Sequence, residues 1–364
     1  MNNVYSPKSD FEKEVRSFCE EFGGIKNVHI HGDRAYTRRD KFYDITGNSV
    51  SELGKLSLFE KQKLTWALHN GSAFNSECIE ERMRRLLKES ESFGVKEVWT
   101  TVDVTYNTGL KSLEVAEKLK GEFDGRVKLF IGAYNPSGFR REDEFKERFE
   151  LYEEAAKRAD FLMGLAEKDR GIGHIGERQH NSYMLQLAYG FQKPVHFHVG
   201  QENRPKDKTL ELLLKEIEEV QDIHLRVSSD EFPEVVAVHA ISSSCVSDKK
   251  FDKIASRMVE RNVGLICCPR AAISMHQDRK LKAPIHNSIA RVWDFAMKGV
   301  RIKGLGVDNL DDIYIPASSA DVFDEVEDLA NALRFYNPRI LAKLVCGHEL
   351  DDFDKGNIKR NILS

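Results

Sequence analysis

Eight short apolar runs, spaced along nearly the whole chain and separated by longer charged stretches, most constrain what this sequence can fold into. They occupy residues 25–31, 95–104, 127–135, 161–167, 194–199, 235–240, 263–269 and 302–308, and are rich in Val, Ile, Leu and Phe. Between them, segments such as 80–90, 142–158, 209–220, 249–261 and 287–298 place apolar residues three and four apart, the spacing of amphipathic helices. Apolar strands alternating with such helices build a parallel sheet with both faces covered, and eight units close into a (β/α)8, or TIM, barrel. At 364 residues the chain could hold two average domains or one elaborated barrel. No repeat, low-complexity tract or Pro-rich linker interrupts the series. The expected organisation is therefore a helical extension over 1–24 and one barrel over 25–364.

Polar chemistry collects at the carboxyl ends of the runs: His29 and His31, Asp103, Asn135, Glu167 and Lys168, His196 and His198, His239, and Asp308. A barrel of this class assembles its site from side chains at those ends. His29 and His31 stand at i and i+2 on one strand, so both imidazoles project to one face and can reach one metal ion. His196 shares a face with His198 by the same alternation. It is expected either as a satisfied interior histidine below the metal or as a ligand of a different first shell. The segment 32–75 becomes an elaborated first loop over the barrel mouth, where Asp33, Arg34, Arg38, Arg39, Asp40 and Lys41 could close over a substrate. Cys267 and Cys268 are expected as small buried residues, one facing in and one out.

Four anchors in order, Val28-His29-Ile30-His31, His196-Phe197-His198-Val199-Gly200-Gln201, Val238-His239-Ala240 and Gly306-Val307-Asp308-Asn309, make the chain resemble the amidohydrolase superfamily, in particular its adenosine deaminase and cytosine deaminase branches. The resemblance implies that His29, His31, His198 and Asp308 ligate a single divalent transition metal with a bound water. Zinc is favoured, with iron or manganese compatible. It implies further that Asp308 accepts a proton from that water and that His239 polarises the nucleophile or substrate without being a ligand. Resemblance to the cytosine deaminase branch extends to Thr100-Thr101-Val102-Asp103-Val104, to Cys268 through His276, and to Asp308 through Pro316. On that basis Asp103, Asn135 and Asn309 are expected to contact substrate.

The chain departs from those branches in one chemically important place. Where the deaminases carry His-x-x-Glu on strand five, with the glutamate shuttling a proton, this sequence has Gln201, and a primary amide cannot take up and deliver a proton at neutral pH. Glu202 supplies the carboxylate if the loop is shifted by one residue. Otherwise Gln201 holds a substrate amide or carbonyl while Asp308 and His239 handle protons. Lys168 offers a second departure, as a carboxylated lysine bridging two metals, against its plainer role in a charged loop. Only 28 residues precede His29, so the accessory β-sandwich of the cytosine deaminase branch has little room.

The expected reaction is hydrolytic deamination of a small cyclic amidine such as a nucleobase, nucleoside or pterin by a metal-activated water. The alternatives are hydrolysis of a cyclic amide or another C–N or C–halogen bond, and a metal-binding pseudoenzyme. A net charge of −4 gives no broad cationic field for nucleic acid. No run approaches the roughly 20 apolar residues of a membrane span. Six cysteines without a C-x-x-C pair point to a reducing compartment. A cytoplasmic homo-oligomer acting on a small heterocycle is expected.

Overall fold

A computed structural model of the chain describes residues 5–141, 146–227, 231–275 and 288–363. Eight strands form one sheet in chain order: β1 Ile25–His31, β2 Val95–Asp103, β3 Lys128–Tyr134, β4 Phe161–Gly164, β5 Val195–Val199, β6 Val235–His239, β7 Val263–Cys267 and β8 Ile302–Leu305. Each neighbouring pair is parallel. The sheet curls until its edges meet just beyond β8, where His31 N donates to Asp308 O at 2.8 Å and Asp308 N to His29 O at 3.0 Å. The result is the nearly closed (β/α)8 barrel that the apolar runs predict.

The predicted helical stretches fall on helices that cover the barrel. Ser76–Ser92 buries Ile79, Met83, Leu86 and Leu87, a three-and-four stripe that faces the sheet. Thr209–Val227 and Asp248–Glu260 contain or nearly match the predicted 209–220 and 249–261. The predicted 142–158 becomes Lys146–Arg158, its first four residues lying outside those described, and 287–298 shortens to Val292–Met297. Within 1–24, Asp10–Glu21 is helical, with Ser9 Oγ accepting from Glu12 N at 3.1 Å as its N-terminal cap. Among the described residues no helix is long and apolar enough to cross a membrane.

Six of the eight strands end earlier than their apolar runs, and the reason is local. β4 stops at Gly164, leaving Glu167 and Lys168 in the 3-10 turn Ala166–Arg170. β7 stops at Cys267 because Pro269, which lacks a backbone donor, opens the helix Pro269–Ser274 instead of extending a ladder. His239 and Asp308 take left-handed backbone angles, φ 77° and 64°, which break strand geometry where their side chains turn toward the barrel axis. Non-glycine residues in that region cost roughly 1–3 kcal/mol each and collect at functional sites.

Below those ends aromatic rings fill the barrel interior. Trp99 stacks on Phe130 at 4.2 Å and on His196 at 5.6 Å, with Phe161 4.6 Å from the His196 ring, and these side chains form a floor. Above them Val28, Met163, Val236, Val238, Ile266 and Cys268 pack as one cluster, while Cys267 belongs to the core outside the sheet. His196 is thus interior, but ring stacking holds it. Neither of its nitrogens has a hydrogen-bond partner, contrary to the expectation of a satisfied histidine.

The seam between β1 and β8 is tight. β1 carries a register irregularity between Asn27 and Ile30, whose partners Val98 and Thr100 are only two apart, and such a bulge re-aims neighbouring side chains. Gly306 lies against the bulge, where an added Cβ would sit 2.7 Å from both the carbonyl oxygen and the Cβ of His29. Gly306→Ala should therefore cost about 1–3 kcal/mol, the usual scale for overpacking, and should displace His29. Denaturant unfolding checks this, and unchanged stability would show that the seam is looser than described.

Candidate metal centre

Strand ends β1, β5 and β8 bring four side chains to one point. The ligand-capable atoms of His29, His31, His198 and Asp308 all lie within 4.8 Å of one another, and all four residues are buried. His29 Nε2 is 3.2 Å from Asp308 Oδ1 and 3.2 Å from His198 Nε2, and His31 Nε2 is 3.4 Å from Asp308 Oδ1. A tetrahedral shell with bonds of 2.0–2.1 Å has ligand-to-ligand edges of about 3.3 Å, so these separations suit one small divalent ion. Thr101 Oγ1 lies 2.9 Å from His31 Nδ1, which fixes the ring and leaves Nε2 for the shared point. The left-handed turn at Asp308 sends its backbone to the seam and its carboxylate to the cluster.

Electrostatics put His31, His198 and Asp308 in ligand form. Burial pushes His31 down to about 4 despite its hydrogen bond to Asp308, and burial together with the neighbouring imidazoles holds His198 well below the usual histidine range. Burial works to raise Asp308, yet the field of His239 and hydrogen bonds from His29 and His31 hold it well below the ordinary carboxylate range. Neutral imidazoles and an ionised carboxylate are the states a metal requires. Facing one another inside an apolar barrel, such groups are costly to bury, and a divalent cation at their centre satisfies all four.

His239 stands beside the cluster. Its ring stacks on His198 at 5.3 Å, its Nε2 is 3.9 Å from Asp308 Oδ2, and burial pushes it down to about 4. A recess of about 510 Å³, its open mouth included, rises from His31, His198 and Asp308. Its walls include Tyr134, Leu165, Gln201, Asn309, Tyr314 and Ile315, with Leu58, Lys61 and Gln62 from the first loop.

The structure brings some of the expected substrate contacts into this recess and uses others elsewhere. Gln201 and Asn309 line it, and Asn309 Oδ1 has no hydrogen-bond partner among the described residues. Asp103 is fully buried beneath the first loop, with Arg34 Nε and Nη2 donating to it at 2.8 and 2.7 Å and His69 Nε2 at 2.8 Å. That closed set leaves Asp103 as an anchor of the loop. Asn135 builds a turn, donating to Gly138 O at 2.9 Å and accepting from Ser137 N at 3.0 Å, while Tyr134 beside it faces the recess. Glu202 is paired with Arg170 and Arg204 and does not line the recess, so no one-residue shift brings its carboxylate to Gln201's place. Of the first loop's charges, Asp33 and Arg34 are buried, and Arg38 pairs with Asp311 at 3.4 Å. His276 lies outside the described residues.

Two contacts were not foreseen. Gln201 Nε2 donates to Glu167 Oε1 at 2.7 Å, and burial, reinforced by Asp207, pushes Glu167 up to about 7. Lys61 sits on the helix Leu58–Gln62, which Ser57 and Glu60 cap: Ser57 N donates to Glu60 Oε2 at 2.9 Å. The Ser-x-x-Glu spacing at 57–60 was the available signal for that helix.

No protein-family model matches the sequence, and no curated protein matches it. Solved structures do. A 5-methylcytosine deaminase from Klebsiella pneumoniae liganded with 5-fluorocytosine superposes with a TM-score of 0.69 at 19% identity, covering 93% of this chain and 82% of the other. The N-isopropylammelide isopropylaminohydrolase from Burkholderia multivorans gives 0.64 at 18%, over 89% and 72%. An Arabidopsis N6-mAMP deaminase gives 0.57 at 14%, over 94% and 99%. The chain has their barrel fold.

Protein reconstituted with zinc and dialysed should retain about one equivalent, as one tetrahedral donor set allows. His198→Ala should lose it, and so should the His29→Ala/His31→Ala double variant. Full occupancy in the double variant by elemental analysis would place the ion elsewhere.

Proposed function

We propose that this protein is a metal-dependent hydrolase that deaminates a small amino-substituted heterocycle such as a nucleobase, nucleoside or pterin. One observation carries the proposal: the buried three-histidine, one-aspartate cluster opens onto a small recess at the mouth of a (β/α)8 barrel. The solved structures that share this barrel add support, since they include deaminases of 5-methylcytosine and of N6-mAMP, and an aminohydrolase. Zinc is the ion we favour, on a nitrogen-rich donor set. Six free cysteines agree with a reducing compartment such as the cytoplasm, and a net charge of −4 with a small-molecule substrate. A homo-oligomeric assembly belongs to the same proposal.

Held by His29, His31, His198 and Asp308, a divalent ion supplies the Lewis acidity that makes water nucleophilic near neutral pH. The Asp308 carboxylate, ionised and beside that point, takes the proton released on attack. His239, uncharged and with Nε2 within 3.9 Å of Asp308, donates a hydrogen bond to the oxygen that gains negative charge. Asn309 offers an unpartnered Oδ1 to the ring. Tyr134, Leu165 and Ile315 give the recess apolar walls, so these dipoles act with little competition from solvent. Gln201 positions substrate and carries no proton. The proton for the departing amine therefore comes back from Asp308, with His239 steadying the charge.

Metal-replete protein screened against aminopurines, aminopyrimidines, pterins and their nucleosides should release ammonia from at least one. Opening or hydrolysis of a cyclic amide or a halogenated ring, with no ammonia from any amino compound, would replace the deaminase assignment. His239→Asn should keep its metal and lose about a hundredfold or more in turnover, the scale of a lost polarising group. Glu202→Gln should stay near wild-type turnover, because its carboxylate is engaged by arginines. A collapse in Glu202→Gln would return the proton shuttle to that residue.

A further inference from the structure

Lys61 has no ion-pair partner among the described residues. The residue is 3% exposed, it lines the recess beside His31 and Asp308, and among the described residues its ammonium makes no hydrogen bond or ion pair. Burial pushes its pKa down, and the charge of Asp312, whose Oδ2 has no hydrogen-bond partner among the described residues, opposes this. Asp312 is itself committed to the backbone, accepting from Tyr314 N at 2.8 Å and Ile315 N at 2.9 Å through one oxygen. Lysine is almost never buried unless paired, because an unpaired ammonium held out of water is expensive. A lysine that lines the same recess as the cluster, with no partner for its ammonium, is a donor available to a ligand oxygen.

Gln201 adds a second, independent restriction. Its Nε2 gives one of its two hydrogens to Glu167 at 2.7 Å, which fixes the carboxamide and leaves Oε1, an acceptor, beside the second N–H for a ligand in the recess it lines. The acceptor there suits a ring N–H. A ring nitrogen that already carries hydrogen also has less need of the proton that a glutamate at position 201 would have delivered.

We propose that the substrate is an oxo-substituted heterocycle, with its ring oxygen bound by the Lys61 ammonium and a ring N–H bound by the Gln201 carboxamide oxygen. Oxo groups conjugated to ring nitrogens carry substantial negative charge and accept strongly, and their neighbouring nitrogens are protonated in the lactam form, so one chemical class answers both walls. The proposal rests on the hydrolytic assignment above, but it concerns recognition and can be read without turnover.

The experiment is direct binding by calorimetry to zinc-loaded protein, using matched rings that lack the amino group and so cannot be consumed: hypoxanthine against purine, and 4-pyrimidinone against pyrimidine. The oxo member of at least one pair should bind at least about tenfold more tightly, the scale set by a buried polar group that the wrong ligand leaves unpaired. Lys61→Met should erase that margin while zinc content is unchanged, and Lys61→Arg should keep part of it. Lys61→Met should also raise the thermal midpoint or leave it unchanged, because it removes an unpaired buried charge. A fall in the midpoint would assign Lys61 to a structural pairing with Asp312 and overturn the proposal. So would a margin that survives Lys61→Met, or a failure of every oxo ring to bind. Ammonia release is scored separately. An oxo margin without ammonia release overturns the reaction and leaves the recognition, whereas release from rings without oxo groups does the reverse.

Discussion

Closure of the barrel and assembly of the site depend on three residues, His29, His31 and Asp308. The Asp308 backbone receives a hydrogen bond from His31 N and gives one to His29 O, which joins the last strand to the first, and the Asp308 side chain meets the imidazoles of those same two histidines. The fold cannot close properly without bringing three of the four cluster members together. The fourth, His198, arrives on β5 across the barrel, and the intervening interior is filled from below by Trp99, Phe130, Phe161 and His196. That packed floor keeps water from the underside of the cluster, so the field of any cation held there falls on the recess.

The same arrangement explains the local irregularities. A bulge in β1, left-handed backbone at His239 and Asp308, and a glycine at 306 that leaves no room for a Cβ would each weaken an ordinary strand. They gather at the mouth, where side chains must turn from the sheet toward the axis. Their cost is offset by a core that buries nearly every strand residue.

Much of this was legible in the sequence because it obeys simple periodicities. Apolar runs of six to ten residues spaced by amphipathic stretches specify eight strands whatever the details, and polar residues at their ends mark the mouth. His29, His31, His198 and Asp308 lie at or near the ends of such runs, and the resemblance to the amidohydrolase superfamily singled them out as the expected ligands. Asp103 and Asn135 also terminate runs, yet their side chains serve a loop anchor and a turn, since an end-of-strand position fixes location and leaves the partner open. The partners of Asp103 and Glu202 come from segments without periodicity, Arg34 and His69 for the first and Arg170 and Arg204 for the second, while Glu167, which ends a run itself, pairs with Gln201. Lys61 was hidden for the same reason. A lysine within Glu60-Lys61-Gln62-Lys63 reads as solvated charge, and only the folding of its short helix over the recess buries it.

The account stands on the claim that these four side chains surround one ion. Anomalous diffraction from crystals of the zinc-loaded protein, collected on both sides of the zinc edge, tests it most directly. The account predicts a single strong peak inside the barrel mouth, about 2.0–2.2 Å from Nε2 of His29, His31 and His198 and from a carboxylate oxygen of Asp308. A peak bound by other residues, or none at that point in zinc-saturated crystals, would contradict it.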